Sequence, residues 1–521
     1  MAFHRFAGPD DVVRGTEKCY IRKAINLLKT NGGYDFSVAD ELGRLCPNGG
    51  LVVGSNEEGA VQIATGDSHS LIVGCSGRGK TRRVIIPTVE TLILACRNIV
   101  VNDMKGEVLE SVKSLLELMD YDIFVLDFRN PQCSPHMYNP LSSAWHAWNE
   151  ENRDAAARLL RSFAFTVFSN SAESGAKVDP FWEASSQEYF IGLALGMLEA
   201  GCCEEEFTLE SIAAMDRTQA NYSRGKTPLD KFFARLNGTL AANAAAGTLG
   251  APSDTKASIL SVWRQEMSIY CSQDGLMRLL SYSNFDASVL FGEKTAIFLI
   301  SPDERAELAP IVTAIFGQLM SETIALAERC GGTLKLPVDF VLDEFGNLAR
   351  RISNMGGIVS ACRSRGIKLH FCVQSDAQLE HVYGSDLKEV ILGNIYTQIF
   401  LGTRDYNFLK RFSEQLGEYT TLSGKSERRL TPGQLQRLEK RGDETEAVVL
   451  IDDLEPFVAT LPDFETLCPL SRRMRGNGLV TSLRHTGERR PVFDVVRLVK
   501  GWEEEEFKAK LDGLADLASG S

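Results

Sequence analysis

The segment Gly74-Cys75-Ser76-Gly77-Arg78-Gly79-Lys80-Thr81 constrains the fold of this chain more than any other stretch. It fits the pattern G-x-x-x-x-G-K-S/T and follows the apolar run Leu71-Ile72-Val73. Such a loop works only between a buried strand and the start of a helix. Its glycines let the backbone fold tightly, so that successive N–H groups point at phosphate oxygens. Lys80 then reaches the β- and γ-phosphates, Thr81 offers its hydroxyl to Mg²⁺, and the helix directs its positive end at the anion. Pro87 falls inside the helix that must follow, which predicts a kink near Arg83.

A second apolar run, Phe340-Val341-Leu342, ends in Asp343-Glu344. Alone, this is a strand closed by solvated acids. Beside a phosphate loop it becomes a metal-side carboxylate, Asp343, and a water-activating one, Glu344. Both can face one ligand because the chain turns where the strand ends. Gln374 closes the next predicted strand, Lys368 to Val373, and its amide can read a terminal phosphate or its water, or simply cap the strand. Arg363 and Arg365 lie just before that strand, as a solvated loop or as arginine fingers for a neighbouring subunit.

Around these motifs strands and helices alternate. Runs at 98–101, 123–126, 295–300 and 398–401 read as buried parallel strands, with polar residues following several of them. Residues 51–63 read as a hairpin. Between 145 and 285 helical periodicity takes over, and Ala241 to Gly250 suggests a loop or a small-residue contact. The expected fold is α/β, a RecA-like P-loop NTPase motor with an inserted all-α domain. Its parts are an N-terminal segment and hairpin (1–65), a first nucleotide-binding part (66–144), the helical insert (145–285), and a second nucleotide-binding part with a C-terminal tail (286–521).

Composition sets the outer limits. The formal net charge of −13 argues against a surface coated in cations for gripping nucleic acid, though a local groove or central channel needs few. Twelve cysteines without C-x-x-C spacing predict free thiols and no zinc site. The N-terminus lacks the apolar core of a signal peptide, and the longest apolar stretch, near Tyr189 to Leu198, predicts a buried helix and not a membrane span.

Four segments together resemble the type IV coupling proteins, the ATPases of conjugation and type IV secretion. They are the phosphate loop running into Val84-Ile85-Ile86-Pro87-Thr88, the block Val101-Asn102-Asp103-Met104-Lys105-Gly106-Glu107, the block Tyr138-Asn139-Pro140-Leu141 with Phe181-Trp182-Glu183, and Leu342-Asp343-Glu344-Phe345-Gly346 with Arg363-Ser364-Arg365-Gly366-Ile367 and Gln374-Ser375. The resemblance runs from about residue 66 to 405. It implies an ATP- and Mg²⁺-dependent hydrolase that assembles as a homo-hexamer. Such a ring would recruit single- or double-stranded DNA, relaxase or relaxosome proteins, and components of the secretion channel. It would work on the cytoplasmic side of the bacterial inner membrane, attached through an anchor outside this sequence or through a partner. Asp103, Lys105 and Glu107 match a family block without a definite chemical role. Arg224, Lys226, Lys256 and Arg264 are candidate DNA grips. Two alternatives stand beside DNA pumping for conjugation: an ATP-gated receptor for secreted proteins, and another kind of DNA-pumping ring ATPase.

Overall fold

The computed structural model describes residues 6–56, 59–169, 179–219, 226–292, 294–302, 305–348, 350–421, 424–451, 454–467 and 490–519. It divides into two compact units, Met1–Arg129 with Phe285–Ser482, and Asn130–Asn284 with Leu483–Ser521.

The first unit carries the strands β1 (Glu17–Cys19), β2 (Leu51–Ser55), β3 (Val61–Ala64), β4 (His69–Gly74), β5 (Asn98–Asp103), β6 (Asp122–Asp127), β7 (Thr295–Ile300), β8 (Val338–Leu342), β9 (Ile367–Val373) and β10 (Ile395–Gly402). They are followed by β11 (Glu418–Thr420), β12 (Ser426–Arg428), β13 (Lys440–Arg441), β14 (Glu444–Leu450) and β15 (Phe457–Pro462). The main sheet runs β13-β14-β10-β4-β9-β8-β5-β7-β6, with β15 also on β14. From β10 to β6 every neighbouring pair is parallel, whereas β14 joins β10 antiparallel.

A parallel sheet needs cover on both faces, because its crossovers place helices there. Successive residues of β8 show this directly. Phe340 meets Phe316 of the helix Ala309–Arg329 edge to face. Val341 turns the other way, into the core shared with the helices Ile86–Leu94 and Glu107–Leu118. Helix Ala306–Arg329 is the one described helix long and apolar enough to cross a membrane, and here it is two-thirds buried as a core helix.

The small sheet β1-β3-β2 holds the expected hairpin, with β2 and β3 antiparallel. The expectation of free thiols does not hold throughout, because Cys19 at the end of β1 is disulfide-bonded to Cys46.

The second unit is helical. Helix Pro180–Glu199 begins on Asp179, whose carboxylate accepts from the Phe181 amide at 3.0 Å. Its central residues are buried on all sides. Residues 240–249 form a helix and not a loop. Alanine-rich composition favours that helix, and the small-residue contact is real: a Cβ on Gly192 would stand 2.7–2.9 Å from Ala245. Tyr189 and Trp263 pack edge to face within this core. Arg264, half-exposed, is tied to Asp216 at 2.6 Å, and Arg224 lies outside the described residues.

Candidate functional site

Strand β4 ends at Gly74, and the chain then loops through Gly77 (φ +80°) and Gly79 (φ +87°), both left-handed. Glycine adopts this conformation without the Cβ clash that other residues incur. The turn after the loop, Thr81–Ile85, is wider than an α-helix: the Ile86 amide donates five residues back to the Thr81 carbonyl. Pro87 explains it, since it has no N–H for the Arg83 carbonyl and its ring crowds that group. The kink predicted near Arg83 is thus a single π-type turn ahead of Ile86–Leu94.

The carboxyl ends of β8 and β9 complete the cleft. Asp343 follows β8, and the Thr81 hydroxyl donates to its Oδ2 at 3.0 Å. Glu344 sits in left-handed backbone (φ +57°, ψ +45°), a conformation that costs a non-glycine residue of order 1 kcal/mol or more. That turn brings Asp343 and Glu344 to line the same cleft. Lys80 Nζ, buried, lies 3.2 Å from Glu344 Oε1 and donates to the Gly74 carbonyl at 2.7 Å. Gln374 Nε2 donates to Glu344 Oε2 at 3.1 Å.

Burial pushes the Asp343 carboxyl up to about 7, helped by the negative charges of Asp103 and Glu344 and opposed by Thr81 and Lys80. Its Oδ1 is buried without a hydrogen-bond partner, as is Asn102 Oδ1 on β5. The unpartnered Asp343 oxygen, on the carboxylate that the Thr81 hydroxyl meets, gives the oxygen donors that a hard divalent cation requires. The residues therefore fit Mg²⁺.

The block at 101–107 lies against the same cleft, which Asp103, Lys105 and Glu107 line. Asp103 is buried and accepts the Leu109 amide at 2.9 Å, so it caps the helix Glu107–Leu118. Burial raises its carboxyl to about 6, against the pull of the Leu109, Val108 and Lys105 amides and of Arg129. Arg129 clamps the turn: it pairs with Asp127, donates to the Lys105 carbonyl, and fills the space where a Cβ on Gly106 would sit.

Arg363 and Arg365 are not brought to this cleft. They precede the seven-residue β9, whereas Gln374 follows it, a separation of roughly 20 Å along the strand. Arg363 lies over the Tyr396 ring and Arg365 pairs with Glu328.

Sequence reasoning missed the contribution of the tail. Lys440, Gly442, Asp443 and Asp463 all line the cleft. Asp463 takes Arg82 in a two-pronged pair, 2.8 Å on each arm, and Glu465 adds a third contact at 3.0 Å. No spacing rule connects residues some 380 positions apart, so no sequence signal marked them.

A family model described as "Type IV secretory system Conjugative DNA transfer" matches residues 35–448. The chain belongs to this family. Among solved structures similar to this family member are three of the coupling protein TrwB. The unbound TrwBdeltaN70 is 17% identical, with a TM-score of 0.58 over 81% of this chain and 90% of that one. TrwB with ADP and Mg²⁺ is 18% identical, with a TM-score of 0.59 over 81% and 91%. TrwB with the ATP analogue ADPNP is 17% identical, with the same score and coverage. At these identities the likeness is one of fold: this member of the conjugative DNA transfer family has a mixed α/β fold related to the RecA-like ATPases. No curated protein matches its sequence significantly.

Proposed function

We propose that this chain is an ATP-hydrolysing coupling protein that recruits DNA or nucleoprotein and moves it toward a type IV secretion channel. One observation carries the reading in a member of this family: Lys80 and Thr81 of the loop meet Glu344 and Asp343 of a distant strand, at 3.2 and 3.0 Å. Thr81 and Asp343 are the groups that would hold Mg²⁺, which would offset phosphate charge when bound. Lys80 leaves the Gly74 carbonyl for the phosphates. Released from Lys80, Glu344 polarises the attacking water, and Gln374 holds its carboxylate in place. Arg363 and Arg365, far from their own cleft, suit a neighbour's site, which supports assembly as a ring, with a homo-hexamer as the expected form. DNA is gripped through its phosphates, so binding weakens as salt rises. The ring works at the inner face of the membrane with relaxase and channel partners.

The test is the ATPase rate with and without single- and double-stranded DNA, across a protein concentration series. Stimulation by DNA that rises cooperatively with protein and disappears in Lys80→Ala and Glu344→Gln supports a DNA motor. A rate indifferent to DNA would favour the receptor reading, and a rate that survives Lys80→Ala would remove the assignment of this cleft.

A further inference from the structure

Lys105 aside, the basic side chains that line the cleft differ in how firmly they are committed. Lys80 is shared between the Gly74 carbonyl and Glu344. Arg82 is neutralised by Asp463 and Glu465. Arg83 is buried, with Nη2 on the Gly442 carbonyl at 3.0 Å. Lys440 is exposed, and its Nζ donates 2.7 Å to the carbonyl of Gly77, a neutral acceptor on the phosphate loop itself.

The structure holds the Lys440 backbone there from several sides. β13 pairs with β14 in the register Lys440↔Thr445, through a turn at Gly442 (φ +53°). Arg78, inside the loop, donates to the Leu438 carbonyl at 3.0 Å just before β13. Arg83 holds the turn at Gly442, and the Asp463 amide donates to the Asp443 carbonyl at 2.9 Å while its carboxylate grips Arg82. Residues 78, 82 and 83 therefore fasten the hairpin to the loop, and the Lys440 stem can move against that frame.

The same cleft is lined by the carboxylates of Asp103, Glu107, Asp343, Glu344, Asp443 and Asp463. A triphosphate entering it needs positive charge that is not already spent on these acids. An ammonium is held more strongly by an ionised phosphate oxygen, where both partners carry charge, than by a neutral carbonyl, where only the donor does. We infer that Lys440 is a second phosphate-binding lysine, which leaves the Gly77 carbonyl for the terminal phosphate of a bound nucleoside triphosphate within its own subunit. The inference rests on the reading of the cleft as a nucleotide site. It gives the antiparallel edge of the sheet a part in sensing the triphosphate.

The experiment is equilibrium binding of a non-hydrolysable ATP analogue and of ADP, each with Mg²⁺, to the full chain, Lys440→Ala and Lys440→Arg, with thermal melts to show that the variants fold. Loss of a charge-assisted contact predicts analogue binding about 10-fold weaker in Lys440→Ala, ADP binding within about 3-fold of the parent, and recovery to within about 3-fold in Lys440→Arg. Equal losses for both nucleotides would mean that Lys440 only shapes the loop, and no loss would mean that it stays on Gly77. Either result overturns the inference. If the parent chain binds neither nucleotide, the nucleotide-site reading falls as well.

Discussion

Thr81 donates its hydroxyl proton to Asp343 at 3.0 Å, across 262 positions of sequence. The bond ties the start of the helix after the phosphate loop to the end of β8, two strands away in the sheet. It also leaves the other Asp343 oxygen buried and unpartnered. Under the proposed function, this arrangement would suit a divalent cation and the phosphate that accompanies it.

Replacing Glu344 by Gln keeps the volume and removes the proposed base. The ATPase rate is expected to fall by about 10²–10⁴-fold, the usual contribution of a positioned general base. Nucleotide affinity should stay close to that of the parent, because Lys80 and the loop amides remain. Steady-state kinetics and equilibrium binding on the same preparation separate the two effects.

Asp339 on β8 is fully buried between Arg97 and His370, at 2.5 and 3.0 Å. Its carboxyl is held at about 2, with burial opposing and Arg97 and His370 prevailing. Asp339→Asn leaves the largely buried Arg97 cation without its counter-charge. A loss of about 3–5 kcal/mol in unfolding free energy is expected, measured by urea titration.

His69 accepts the Leu369 amide at Nδ1 (3.1 Å) and faces the Val359 carbonyl with Nε2 (2.8 Å), so the fold holds the neutral ring. Burial, chiefly, pushes its pKa down to about 4. The unfolded chain then binds the extra proton between about pH 6.5 and 4, so this contribution is complete above 6.5 and lost as pH falls. Asp343 and Asp103, whose values are raised, act with the opposite sign over an overlapping range. The difference between parent and His69→Asn cancels them. That difference should grow by up to about 3 kcal/mol from pH 4 to 7.

Gly192→Ala in the helical unit places a methyl group 2.7–2.9 Å from Ala245. Overpacking of this kind costs about 1–3 kcal/mol, and thermal unfolding should show it. An unchanged melting temperature would mean that the helices Pro180–Glu199 and Leu240–Leu249 are not in this close contact.

Much of the cleft-bearing side of the fold was legible in the sequence. The loop at 74–81 and the acids at 343–344 each follow an apolar run, and both runs are strands, β4 and β8. Helix 240–249 was less legible, because small residues signal close packing without saying which element supplies the partner. The arginines at 363 and 365 precede β9 and so lie at the end of the strand away from the cleft, but local pattern does not tell a solvated loop from a residue that serves a neighbouring subunit.

By itself the sequence determined what depends on neighbours along the chain: the glycines that allow left-handed backbone at 77 and 79, the proline that widens the turn after Thr81, and the apolar runs that must be buried. The tertiary structure alone decided what depends on strand order and side-chain reach. It set Asp463 on Arg82, Lys440 on Gly77, Cys19 on Cys46, and Asp103 as the cap of the helix Glu107–Leu118. These pairings follow from how a twisted sheet closes over its helices. No local propensity encodes the long-range ones, because their partners meet only when the sheet and its helices are assembled.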